Sequence, residues 1–106
     1  MISTKRHLLF VYGTLRFRHF RKECFGMVPK ARRAMLNGYE RGIVVRGGER
    51  YFVIRKRRNA TTRGALLSLT VTQIRRSDVY ERHYSRRLVE LASGTKAWAY
   101  IPKAYL

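Results

Sequence analysis

The stretch Leu8-Leu9-Phe10-Val11-Tyr12 constrains this chain more than any other part of it. It is apolar without alternation and stops at Gly13. A strand with one wetted face alternates apolar and polar residues; a strand covered on both faces does not. His7 to Tyr12 is therefore read as a central strand. The chain then breaks at Gly13-Thr14 and runs straight into an arginine-rich segment, which a purely structural strand end does not call for.

The remaining runs are short and strand-like. Phe17 to Phe25 is read as a helix with Phe17, Phe20 and Cys24 on one face. Met35 to Val45 is read as a strand bent at Gly38. Gly47-Gly48 then offers the positive φ of a tight hairpin turn before the strand Tyr51 to Ile54. Arg55 to Arg63, RKRRNATTR, is the most polar stretch and reads as a basic loop. A strand from Gly64 to Val71 follows, then a short helix capped by Thr72 and running through Tyr80. Arg86 to Ala92 and Lys96 to Ile101 form a last hairpin across Ser93-Gly94-Thr95. The expected fold is mixed α+β and mainly antiparallel: a small closed or nearly closed β-barrel of about six strands with one or two short helices, all in a single domain over residues 1–106.

Composition narrows the function classes. The chain has 106 residues, 45% of them hydrophobic, enough to fold despite its charge. Lys and Arg number 24 against 6 Asp and Glu, a net charge of +18. Such a field attracts polyanions, and arginine suits bidentate contact with phosphate or carboxylate. The single cysteine, Cys24, excludes an internal disulfide and fits a reducing compartment. No apolar run reaches the ~20 residues of a membrane span, and the apolar part of MISTKRHLLFVYG is short for a signal sequence. The expected address is cytoplasmic, with no membrane partner.

Chemistry-bearing residues are sparse. His7, His19, His83 and Cys24 lack metal-ligand spacing, and no glycine-rich phosphate loop occurs. Glu23, Glu40, Glu49 and Glu90 sit in charged or alternating stretches, where they offset neighbouring arginines. Asp78 and Glu81 differ, standing in SDVYERHYSRRLVEL at a helix-to-strand junction. A carboxylate held near a cavity by aromatic neighbours acts as a general base, whereas spacing alone would equally pair Glu81 with Arg82 or Arg86.

Taken together and in order, the segments VYGTLR and DVYERHYSRRLVEL resemble the γ-glutamylcyclotransferase-like family. Leu36-Asn37-Gly38-Tyr39, the strand from Gly64 to Leu69 and the closing AWAYI extend that resemblance over nearly the whole chain. It implies a small barrel with an open cavity, in which the Tyr12-Gly13-Thr14-Leu15 loop and Tyr84 bind the γ-glutamyl part of a substrate. Glu81 matches the family's general base, which releases 5-oxoproline without metal or cofactor. The chain departs from the pattern in having only Arg82 and His83 between Glu81 and Tyr84, Arg82 where glycine is common, and Phe52 where proline is common.

Two other readings rest on the charge. Arg16, Arg18, Arg82, His83, Arg86 and Arg87 flank the two motif segments and are candidates to hold an anionic ligand in the same cavity. That ligand would be a cyclic oligonucleotide or RNA-like molecule, bound, sequestered or cleaved without metal, with Glu81 or His83 moving protons. Alternatively RFRHFRK and RKRRNATTR make the chain a general nucleic-acid or ribosome-surface binder.

Overall fold

The computed structural model describes residues 5–106; the first four residues of the N-terminal stretch weighed above as a leader lie outside the described residues. Strand β1, His7–Val11, lies between β3, Glu49–Leu69, and β5, Lys96–Pro102. It pairs antiparallel with β3, from His7 opposite Leu69 to Val11 opposite Ala65, and parallel with β5 at Leu9 and Trp98. Its unbroken apolar sequence has the expected cause. Phe10 and Tyr12 enter one buried cluster with Leu36, Ile54, Leu66 and Ile101, while Leu9 and Val11 enter another with Leu15, Phe25, Leu67 and Ile74. Both faces of β1 are thereby removed from water, and each large side chain so buried contributes about 1.5–3 kcal/mol.

The sheet has five strands in the order β2-β3-β1-β5-β4, with β2, Ala31–Arg46, and β4, Tyr84–Glu90, at its edges. This corrects the expected six-stranded barrel in two ways. The segment Arg55 to Arg63 is not a loop but the middle of β3, so two expected strands are one. The sheet is also not closed by a ladder. Near its ends, isolated contacts span it instead: Ala92 N–H donates to Met35 O over 2.8 Å, and Tyr84 Oη to Phe52 O over 2.6 Å.

The polar stretch can be a strand because its partner β2 answers it. Arg55 and Arg57 reach Glu40, Thr61 Oγ1 donates to Asn37 Oδ1, and Thr62 Oγ1 donates to Tyr39 O. The ribbon turns a corner where the register shifts between Asn37 and Tyr39, at Gly38 with φ 83° and Asn59 with φ 65°. Glycine takes that conformation freely and asparagine tolerates it, so the bend expected at Gly38 has its physical basis.

Two helices cover one face. Helix α1, Arg18–Phe25, ends at Gly26 in the left-handed conformation. Its buried residues are Arg21, Cys24 and Phe25, and Phe20 is half-buried, so of the expected Phe17–Phe20–Cys24 face only Phe17 falls out, being the N-cap and 51% exposed. Arg21 is buried because its guanidinium donates to the carbonyls of Leu15 and Arg16. Helix α2, Val71–Tyr80, is capped by Thr70 and not by Thr72. Thr70 Oγ1 accepts from Gln73 N–H, and the Gln73 side chain accepts from Thr70 N–H, a reciprocal capping box. Among the described residues, no helix is long and apolar enough to cross a membrane.

Candidate functional site

The end of β1 and the end of α2 meet over one cavity of about 310 Å³. Tyr12, directly after β1, lines it with the turn residues Gly13, Thr14 and Leu15; Tyr80, the last residue of α2, its C-cap Glu81, and Tyr84 of β4 line it from the other side. Two segments far apart in sequence, residues 12–15 and 80–84, are joined here because β1 is central and α2 crosses its face, delivering both C-terminal ends to the same rim.

The turn after β1 is a single 3-10 turn, Thr14–Arg16, closed by Arg16 N–H to Gly13 O and Phe17 N–H to Thr14 O. The N–H groups of Gly13, Thr14 and Leu15 have no acceptor among the described residues, so they are donors left free at the cavity wall. Arg21 and the Arg16 side chain hold the carbonyls of this turn from behind. Glycine at position 13 also suits the packing: a Cβ there would stand 3.1 Å from Phe52 Cβ, so that neighbour would have to give by a few tenths of an ångström. Leu15 is buried in the core, and Thr14 Oγ1 lies 3.1 Å from Tyr80 Oη.

Glu81 is the C-cap of α2, its N–H donating to Ser77 O and its carbonyl accepting from Tyr84 N–H. Its carboxyl makes no hydrogen bond or ion pair among the described residues. Burial against Tyr12, Tyr80 and Tyr84 therefore acts unopposed, and desolvation pushes its pKa up to about 7. Its charge acts on its neighbours in turn. Tyr84 is pushed up to about 12, by burial first and then by Glu81; Tyr80 is raised by burial and Tyr12 well above the ordinary phenol value, again by burial first. All three remain neutral donors or acceptors. Tyr12 Oη donates to Tyr100 O and Tyr84 Oη to Phe52 O, so both phenols brace the cavity wall.

The arginines expected around this cavity do not line it. Arg86 forms a fork with Asp78, 2.9 Å and 3.2 Å, and stacks 4.6 Å above Trp98, so it serves Asp78 and not Glu81. Asp78 also accepts from Tyr100 Oη at 2.7 Å. Arg16 turns away to stack on Phe17 and Phe52, Arg18 is exposed on the first turn of α1, and Arg82 and Arg87 are exposed. His83 lines a separate cavity of about 130 Å³. The basic residue on the wall beside Glu81 is Arg50, at the start of β3, next to Glu49 and Tyr51. Those residues and Phe20 were missed in sequence because nothing local to the Gly47-Gly48 turn says that the hairpin end folds back over α2.

Comparison with known proteins agrees with this arrangement. A solution structure from Arabidopsis thaliana, 20% identical, superposes with a TM-score of 0.85 over 99% of this chain and 67% of that one. A gamma-glutamyl cyclotransferase, 13% identical, gives 0.76 over 96% and 69%, and an uncharacterized Homo sapiens protein, 14% identical, gives 0.78 over 95% and 69%. At such identities these likenesses establish the fold. No curated protein sequence matches the chain significantly. The model of one family matches residues 9–105, the span that carries β1, both helices, the cavity and the last hairpin: the chain belongs to the gamma-glutamyl cyclotransferase, AIG2-like family.

Proposed function

We propose that the chain is a cyclotransferase that releases 5-oxoproline from a γ-glutamyl amine or peptide, with Glu81 as general base. The observation that carries this reading is the lone Glu81 carboxyl, its pKa near 7, in the same cavity as the free amides of Gly13 to Leu15. A base poised near neutral pH both holds its charge and transfers a proton readily.

The chemistry balances on these groups. The substrate's neutral α-amine attacks its own γ-carbonyl carbon, forming the ring C–N bond while Glu81 takes one N–H proton. The carbonyl electrons move onto oxygen, which the turn's N–H groups stabilise as an oxyanion. Collapse breaks the bond to the departing nitrogen, and Glu81 returns the proton to it as it leaves as a free amine. Nucleophile and electrophile belong to one molecule, so holding the glutamyl chain folded supplies much of the acceleration as proximity. Tyr12, Thr14 and Tyr84 bound the space in which that fold must fit.

The test is 5-oxoproline formation from a panel of γ-glutamyl amines and γ-glutamyl peptides. Product from at least one of them, abolished by Glu81→Gln, is expected. No product from any, or product unaffected by that substitution, overturns the proposal.

A further inference from the structure

All six acidic residues are accounted for away from one side of the molecule. Glu40 meets Arg55 and Arg57, Asp78 meets Arg86, and Glu23 lies 4.0 Å from His19. Glu49 accepts from Tyr51, Glu90 stands opposite Lys96, and Glu81 is in the cavity. On the remaining side, an open groove of about 890 Å³ runs between the first half of β2, the facing part of β3 and the β4–β5 turn. Arg16, Arg32, Arg33 and Arg63 line it, together with the Ser93 and Thr95 hydroxyls, and no acid lines it.

None of those four arginines forms an ion pair among the described residues. Arg41 adds to the crowd, donating to the carbonyls of Tyr12 and Arg63, and its charge, after burial, lowers the pKa of Arg16. Unneutralised guanidiniums lining one groove repel one another, and an anion entering it relieves that repulsion. This separates the groove from RKRRNATTR, where Glu40 already answers two of the charges.

We propose that this groove binds the phosphate backbone of a single-stranded nucleic acid. Guanidinium forks match phosphate oxygens. The site is a cleft and not a broad face, which suits a flexible strand better than a rigid duplex. No aromatic residue lines it, so bases contribute no stacking and binding is indifferent to composition. Four phosphate contacts give a salt slope of about −2.8, or roughly a 50-fold loss of affinity between about 50 and 200 mM salt.

The experiment is fluorescence anisotropy with labelled 12-nucleotide thymine and adenine strands, using the whole chain. R32Q/R33Q/R63Q removes three exposed groove charges; R58Q/R75Q/R87Q removes three exposed charges outside it. The groove variant is expected to bind at least about tenfold more weakly and to lower the salt slope by about 2, the control variant to lose less than about threefold. Both strands should bind alike, duplex more weakly, and polyglutamate should compete poorly. Equal losses in the two variants, wild-type binding by the groove variant, no binding by wild type at 150 mM salt, or equal competition by polyglutamate each overturns the proposal. If the triple variant does not fold, R32Q and R63Q singly carry the same comparison, each at about threefold. Because neither variant touches the Glu81 cavity or Arg16, which braces the turn beside it, 5-oxoproline release is a separate readout and this proposal stands or falls apart from the cyclotransferase reading.

Discussion

Asp78 and Glu81 are three residues apart at the end of α2, yet the fold gives them opposite surroundings. Asp78 accepts from both nitrogens of an Arg86 fork and from Tyr100 Oη, within reach of water. Glu81 faces a cavity walled largely by tyrosines and forms no ion pair among the described residues. One carboxylate is spent on joining α2 to β4 and β5; the other has its charge penalised by burial, which pushes its pKa up to about 7. In a chain of net charge +18, what leaves Glu81 available for chemistry is that no arginine pairs with it, Arg50 on the same cavity wall included.

That contrast can be broken in four ways, in descending order of expected effect. Glu81→Gln should lower the rate of 5-oxoproline formation by about 10³-fold, the range of a lost general base, whereas Asp78→Ala should leave the rate of the folded protein within about tenfold. For the wild type, kcat/KM should rise with pH through about 7 as Glu81 ionises, and go on rising until the substrate's α-amine is neutral.

Next in size, Asp78→Ala should destabilise the chain by about 2 kcal/mol, since it strands Arg86 and leaves Tyr100 Oη with only Ser77. Thermal unfolding should show a Tm lower by roughly 10 °C for a domain of this size. Asp78→Asn, which keeps the shape and loses the charge, should fall between.

Glu81→Gln should move stability the other way. A carboxyl whose folded pKa is raised binds its proton more tightly in the folded state, so its contribution is complete below the unfolded value and is lost as pH rises towards 7. The substitution should therefore raise stability by about 1–2 kcal/mol at pH 8, reduced from the full shift because the side chain is only half-buried, and change little at pH 4. Equal effects at the two pH values would contradict the unpartnered carboxyl.

Smallest is Tyr84→Phe. It removes one hydrogen bond, to Phe52 O, and should cost about 1 kcal/mol in denaturant unfolding while leaving the Glu81 pH profile near its wild-type position.

How much of this was legible before folding depended on whether the signal was local. The unbroken apolar run of β1, the bend at Gly38 and the turn at Gly47-Gly48 state a local need, for burial on two faces or for positive φ, and each is found in place. RKRRNATTR was misread because a polar run looks like a loop until its partner strand is known; Glu40 and Asn37, which answer it, come from β2. The cap at Thr70 and not Thr72 was decided by Gln73, which stands three residues after the former and can close a reciprocal pair.

By itself, the sequence determined the charge, the central strand, the glycine corners and the ordered motif segments that mark the family, since each depends only on residue type and spacing. Tertiary structure alone decided that the sheet stays open, that Arg86 turns to Asp78, and that the unpaired arginines gather at β2 and β3. It also decided that Arg50 and not the flanking arginines reaches the Glu81 cavity. Those outcomes depend on distances between residues far apart in the chain, and desolvation and ion pairing act through such distances.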